Sequence, residues 1–258
     1  MQSRSTYSSR LQLLDTGRLD ILRRLKGFGR RRFSLPLRLA LREVAAEYRL
    51  QRLHRAGVRK ARRMHWDAPL KLNLGCDANV KAGWVNIDLF TATADIRLDL
   101  REPLPFPDNS AAFIYSEHVF EHLAYPCIHD AMGWTVETPG APSEAMQLLR
   151  ESRRVLMPGG VFSVGVPDAE RAVAQYARRE SECWGPPWVD TPMHFLNYVF
   201  RQGREHKYAY DQETLGRLLS TAGFVDVRRR VFDPQLDSAH RMNDTLYMEA
   251  RKLADPHV

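Results

Sequence analysis

Two groups of residues have types and spacing suited to chemistry. In the first, the apolar run Leu70–Leu74 meets Gly75-Cys76-Asp77, and Trp84-Val85-Asn86-Ile87-Asp88-Leu89 follows close behind. This reads as a buried strand, a glycine turn and a second strand ending in a carboxylate. A turn without side chains lets backbone N–H groups approach a ligand, and a carboxylate at the next strand's end can accept two ribose hydroxyls, as in the front half of a nucleotide-type site. The plainer alternatives are a tight turn at Gly75 and a helix cap or loop carboxylate at Asp88. The second group is Ser116-Glu117-His118-Val119-Phe120-Glu121-His122. His118-Val119-Phe120-Glu121-His122 matches the H-x-x-E-H pattern of zinc peptidases. The surroundings that pattern needs are missing, so no metal is expected. Glu117 and His118 are candidate proton acceptors, since imidazole titrates near neutrality. The alternative is that Glu117 and Glu121 open a helix and favour its positive end.

The elements that must position these residues alternate from Leu70 onward. Strands are expected at 71–74, 84–88, 95–99, 112–116, 161–166, 225–232 and 245–252. Helices are expected at 143–156, 168–179 and 211–221. Asp211 suits an N-cap and Gly223 a C-terminal stop. Such alternation implies an α/β fold with a mostly parallel sheet covered on both faces, and ligands beyond the carboxyl ends of its strands.

Charge divides the chain. Residues 1–65 hold 18 Lys+Arg against 4 Asp+Glu, whereas the whole chain holds 38 against 31. The remainder is therefore acidic, and the boundary falls near Trp66–Pro69. Two domains follow: a basic, partly helical arm over 1–66 and an α/β domain over 67–258. Leu19, Leu22 and Leu25, then Leu37, Leu41, Val44 and Tyr48, have helical spacing with arginines on the other faces. The arm is either an extension packed on the domain or an amphipathic element for an anionic membrane surface, with nucleic acid less favoured. An Arg- and Ser-rich start also fits an organellar transit peptide. No run approaches the roughly 18 apolar residues of a membrane span. Cys76, Cys127 and Cys183 lack C-x-x-C spacing, which suggests reduced thiols and a cytoplasmic location.

The series Leu72-Asn73-Leu74-Gly75-Cys76, Asn86-Ile87-Asp88, Asp99-Leu100, Leu104-Pro105-Phe106-Pro107-Asp108, Ser116 to Leu123, Arg154 to Gly160 and Val166-Pro167-Asp168 resembles the class I S-adenosylmethionine-dependent methyltransferases. The nearest match is the compact type 11, or methyltransferase-domain, branch that occurs near cell-surface glycan genes. The likeness spans about Leu70 to Lys252. It implies a Rossmann-like, doubly wound, mostly parallel seven-stranded sheet with an antiparallel last strand. It also implies S-adenosyl-L-methionine as cofactor and methyl transfer to an oxygen or nitrogen of a small-molecule, sugar or lipid-linked glycan acceptor. Methyl transfer is an in-line displacement at a sulfonium carbon, so the protein chiefly positions and desolvates the reactants.

The resemblance assigns cofactor contacts to Asn73, Gly75, Cys76, Asp77, Asp88, Leu89, Asp99, Leu100, Ser116 and Glu117. Asp88 would take the ribose hydroxyls, and Asp99 with Leu100 would read adenine or else form a turn into Pro103. Catalytic candidates are Glu117, His118 and His206. His122 belongs to the branch's "EHL" signature. Arg204, Glu205, His206 and Tyr210 are acceptor-pocket candidates, because a similar segment precedes the penultimate helix of that branch. The aromatic stretch 184–188 with His194-Phe195 is a lid or a core element.

Several positions depart from the family pattern. Asn73 and Asp77 stand where an acid and a second glycine are usual, and Ala112 replaces a frequent Asp. Asp88 follows Gly75 by 13 residues, which leaves little room for a crossover helix. Residues 125–142 look like an insertion. An RNA methyltransferase and a non-catalytic scaffold on a degenerate methyltransferase fold are the alternatives; the acidic domain argues against the first, and Asp77 supports the second.

Overall fold

A computed structural model describes residues 33–66, 69–129, 135–138, 141–180 and 186–254. A long helix, α1 (Leu35–Ala61), precedes the strands β1 (Leu70–Leu74), β2 (Val85–Ile87) and β3 (Ala111–Glu117). A hairpin of β4 (Cys127–His129) and β5 (Thr135–Glu137) lies within the stretch read as an insertion. Then come α2 (Glu144–Val155), β6 (Leu156–Pro167), α3 (Ala169–Arg178), α4 (Pro192–Arg201), α5 (Gln212–Thr221), β7 (Phe224–Arg229) and β8 (Thr245–Lys252).

The main sheet runs β2-β1-β3-β6-β8-β7. Its first four strands are parallel, and β8 is antiparallel to both neighbours. Strands buried on both faces read as near-continuous apolar runs, and β1 buries four of its five residues. Leu72, Leu74, Ile114, Phe162 and Val164 form the core with Met146 and Leu149 of α2 and Leu215, Leu218 and Leu219 of α5. Ser143 and Asp211 cap α2 and α5 by accepting from Met146 N and Thr214 N. Strand order reverses between β1 and β3, so the ligand crevice of such a sheet lies outside their carboxyl ends. Gly75 and Glu117-His118 sit there.

The structure corrects the expectation of seven strands. Over 95–99, among the described residues, only Ile96 bridges to Ile87, and the sheet of described strands has six. The polar groups of that segment go elsewhere. Asp95 O accepts from Lys60 Nζ at 2.6 Å, Asp99 N donates to His54 Nδ1 at 3.2 Å, and the Asp95 carboxylate accepts from Asn86 N and Nδ2. These partners also bind α1 to the domain. Gly57 lies so close that a Cβ there would meet Arg97 O at 1.9 Å, and Ala61 joins the main core. The second half of α1 thus packs on the α/β unit, although its charge groups it with the arm. Its first half leaves Leu35, Leu37, Leu39, Leu41, Val44 and Tyr48 exposed. The expected helical positions Leu19, Leu22 and Leu25 lie outside the described residues.

The short β1–β2 link raises the question of what covers that face of the sheet. The answer is the segment 230–244. Lys81 Nζ donates to Leu236 O, Asn79 Nδ2 to Ser238 Oγ at 2.9 Å, and Tyr115 Oη to Asp237 Oδ1 at 2.9 Å. Arg230 holds both oxygens of the buried Asp237 at 2.6 Å. A loop between β7 and β8 thereby does the covering of a crossover helix.

Helix α4 was not expected. Thr191 caps it by accepting from His194 N, and Pro192 starts it with its φ preset. Phe195 packs in a small second cluster with Ala172 and Val189, so this aromatic segment is in part a core element. Trp184 and Gly185 lie outside the described residues. Among the described residues, no helix is long and apolar enough to cross a membrane.

Candidate functional site

The first turn is built by a close approach. Gly75 has φ +67°, in the left-handed region, and a Cβ on it would fall 2.2 Å from Val119 Cγ2. Gly75 N and Cys76 N both donate to Ile87 O, at 2.8 and 3.0 Å. Beneath the turn, Asn73 Nδ2 donates to Asn79 O and Asn86 Oδ1, and Asn86 Oδ1 also accepts from Lys81 N. Asn73 is therefore a buried support of the turn, which accounts for an amide where an acid is usual. Cys76 is buried, and burial followed by the charges of Asp88, Asp77 and Asp95 pushes its thiol up to about 12. It is not a nucleophile.

Asp88 follows β2. Its Oδ1 accepts from Phe90 N and Thr91 N, and its Oδ2 from Asp77 N at 3.1 Å. Asp77 itself has φ +40° and an exposed side chain. Asp99 is buried. Burial alone would raise its pKa, but hydrogen bonds from the Arg101 side chain and backbone outweigh that and lower it. Arg101 Nη2 lies 2.6 Å from Asp99 Oδ2 and 2.7 Å from Glu47 Oε1 of α1. Leu89 and Leu100 are buried beside these loops.

Register sets the centre of the crevice: Leu74, just before the turn, pairs with both Ile87 and Ser116. Ser116 Oγ is buried and has no hydrogen-bond partner among the described residues. Glu117, next along β3, turns to the covering segment. It accepts from Ser238 N at 3.1 Å, from Ser238 Oγ and from Tyr247 Oη, and Arg241 Nη1 lies 3.5 Å away. Burial raises its pKa, yet the Ser238 hydrogen bonds, then Arg241 and His118, lower it overall. An ionised carboxylate with this many donors is a poor general base. Ser238 and Arg241 carried no sequence signal, being more than 100 residues distant from Glu117.

After β3 the chain does not enter a full helix. His118 takes φ +55°, unusual for a residue with a Cβ, and Phe120–His122 form a single 3-10 turn. His118 Nε2 contacts Thr245 Oγ1 at 2.9 Å, and its Nδ1 lies 3.2 Å from Glu121 Oε1. His122 and His206 rings meet edge to face with centroids 4.9 Å apart. Lys207 N donates to Glu121 O at 2.6 Å, which fastens the 205–210 segment to this turn. Burial raises the pKa of Glu121, but the imidazoles of His118, His122 and His206 prevail and hold it at about 2. Burial lowers that of His206.

A narrow pocket beyond the ends of β3 and β6 is lined by Glu121, Pro167, Val199, His206, Tyr208 and Tyr210. Of the acceptor-pocket candidates, His206 and Tyr210 meet here. Arg204 is exposed on a 3-10 turn, and Glu205 joins the group through its carbonyl, which faces His122 Nδ1 at 3.1 Å. The sequence pattern presents Glu121 only as a helix-opening acid, whereas the structure sets it among three imidazoles.

Residues 88–164 match the family model of the methyltransferase domain. No curated protein matches the chain. A methyltransferase from Thermotoga maritima, described as a possible histamine N-methyltransferase, is 13% identical with a TM-score of 0.40, over 82% of this chain and 96% of that one. An Aquifex aeolicus methyltransferase is 14% identical with a TM-score of 0.41, over 71% and 82%. The phosphoethanolamine N-methyltransferase 2 of Haemonchus contortus is 14% identical with a TM-score of 0.42, over 78% and 52%. The match over 88–164 runs from the carboxylate after β2 into β6, so this part of the chain is similar to a methyltransferase domain.

Proposed function

We propose that the protein transfers the methyl group of S-adenosylmethionine to an oxygen or nitrogen of a small molecule, a sugar or a lipid-linked glycan. The observation that carries this reading is the meeting of Gly75, Asp88 and Ser116 at the carboxyl ends of three adjacent strands. The residues fit the cofactor. Gly75 takes φ +67° and carries no side chain at the crevice, and Ser116 Oγ is a buried hydroxyl in need of a partner. A carboxylate offers about four acceptor sites, and Asp88 uses three on backbone amides.

Bound S-adenosylmethionine supplies a methyl carbon made electrophilic by its sulfonium. Asp88 keeps an acceptor site for a ribose hydroxyl. Leu89 and Leu100 give the adenine apolar surface, with Asp99 held on Arg101 behind them. Glu117 anchors Ser238 and Arg241 at the rim and stays ionised. The rim that carries Arg204, Glu205, His206 and Tyr210 faces the acceptor. The exposed apolar residues of α1, set among arginines, support docking of the arm on an anionic membrane surface in the cytoplasm, close to a lipid-linked acceptor. The acidic remainder of the chain weighs against an RNA acceptor.

One observation favours a second reading, a scaffold on this fold: Gly75 N, Cys76 N, Asp77 N and the Asp99 carboxylate all have internal partners. Calorimetric titration with S-adenosylmethionine and S-adenosylhomocysteine separates the two. Micromolar binding supports the enzyme, and its absence in folded protein supports the scaffold.

A further inference from the structure

Glu121 is an unusual carboxylate. It is 1% exposed, and neither oxygen has a hydrogen bond of good geometry. An isolated buried carboxylate costs several kcal/mol or more unless something compensates it. The groups nearest to it are imidazoles, and their tautomers can be worked out. His122 Nδ1 faces Glu205 O at 3.1 Å, and His206 Nδ1 faces Val199 O at 2.6 Å. A carbonyl only accepts, so both Nδ1 atoms carry the proton. In the neutral ring each Nε2 is then a bare lone pair.

His122 Nε2 lies 3.8 Å from Glu121 Oε1. One ligating atom from each of Glu121, His122 and His206 lies within 4.8 Å of the others. Lone pairs and a carboxylate held this close repel each other unless a metal ion or a ring proton sits between them. A histidine that gives its second N–H to a backbone carbonyl is the usual outer-shell arrangement of a metal ligand. A fourth feature agrees: Tyr210 Oη, fully buried and lining the same pocket, also lacks a partner.

We infer that Glu121, His122 and His206 form a site for a divalent transition metal of the zinc type. Two imidazoles and one carboxylate are a donor set that suits zinc and its neighbours rather than magnesium or calcium. Ligands about 2.1 Å from a tetrahedral ion stand roughly 3.4 Å apart, so a pair separated by up to 4.8 Å must close by up to about 1.4 Å on binding. His118, 3.2 Å from Glu121 Oε1 and steadied by Thr245, orients the carboxylate. A water completes the coordination from the side of His122, whose side chain is 37% exposed.

The test uses the full-length protein, stripped with a chelator and titrated with zinc chloride by calorimetry, with bound metal counted by mass spectrometry. One zinc per chain is expected, with magnesium binding far weaker. His122→Ala and His206→Ala, each checked for folding by circular dichroism, should weaken zinc binding more than about tenfold. Wild-type protein loaded with cobalt(II) needs no variant and should give the intense visible absorption of a four- or five-coordinate ion. No stoichiometric zinc on folded wild-type protein, undiminished binding by the folded variants, or a weak six-coordinate cobalt spectrum would each overturn the inference.

Discussion

The side chain of Val119 occupies the space that any Cβ at Gly75 would need, with Cγ2 at 2.2 Å from that point. The glycine turn after β1 and the loop after β3 therefore press together at the crevice. Gly75→Ala meets two obstacles, the Val119 contact and a positive φ that costs about 1–3 kcal/mol for a residue with a Cβ. It should lower stability in urea and weaken cofactor binding. Adding Val119→Ala should recover the contact part and leave the φ part. Full recovery in the double variant would show that backbone conformation is unimportant at 75.

The Arg230–Asp237 pair stands in for a missing helix. Asp237→Ala leaves the Arg230 guanidinium, 11% exposed, without its partner, and removes the acceptor of Tyr115 Oη. Breaking a buried pair from one side costs about 3–5 kcal/mol. Urea unfolding should show a loss of that order, and Asp237→Ala with Arg230→Met should lose less. A loss under about 1 kcal/mol would mean that the segment 230–244 does not cover the sheet as described.

Acid should loosen the contact between α1 and the domain. Asp99 has a folded pKa below its ordinary 3.8, so it binds fewer protons folded than unfolded. Its contribution is present above about pH 4 and is lost as pH falls through the lower folded value. In Asp99→Asn that acid limb should flatten, with lower stability at neutral pH. Identical stability profiles from pH 7 to pH 2 in variant and wild type would contradict the Arg101 pairing.

The arm divides inside α1. Deleting 1–65 removes Gly57 and Ala61 from their packed positions and should cost the domain stability. Deleting 1–32, which carries nine basic and two acidic residues, should spare the fold while reducing sedimentation with anionic liposomes. Equal melting temperatures for the two truncations would contradict the packing of α1. Undiminished liposome binding by the shorter truncation would place the membrane contact elsewhere.

Much of the sheet is legible in the sequence because its strands are apolar runs bounded by breakers: β8 falls on 245–252 as expected, and β1, β3 and β6 are displaced only at their ends. The segment 95–99 looks like a strand by pattern, but its polar groups are taken by Lys60, His54 and Asn86, partners that no local rule supplies. Helix α4 is hidden by its aromatic content. The candidate site divides in the same way. Gly75, Asp88 and Ser116 could be read from local order. The group at Glu121 could not, since His206 arrives from 85 residues downstream and Val199 from a helix that the pattern does not reveal.

The central claim is that the crevice at Gly75, Asp88 and Ser116 binds S-adenosylmethionine. Isothermal titration of wild type and Asp88→Ala tests it most directly, with folding of both followed by circular dichroism. Wild type should bind in the micromolar range, and the folded variant at least tenfold more weakly. Equal affinity in the two would misplace the ribose, and no binding by folded wild type would contradict the enzyme reading.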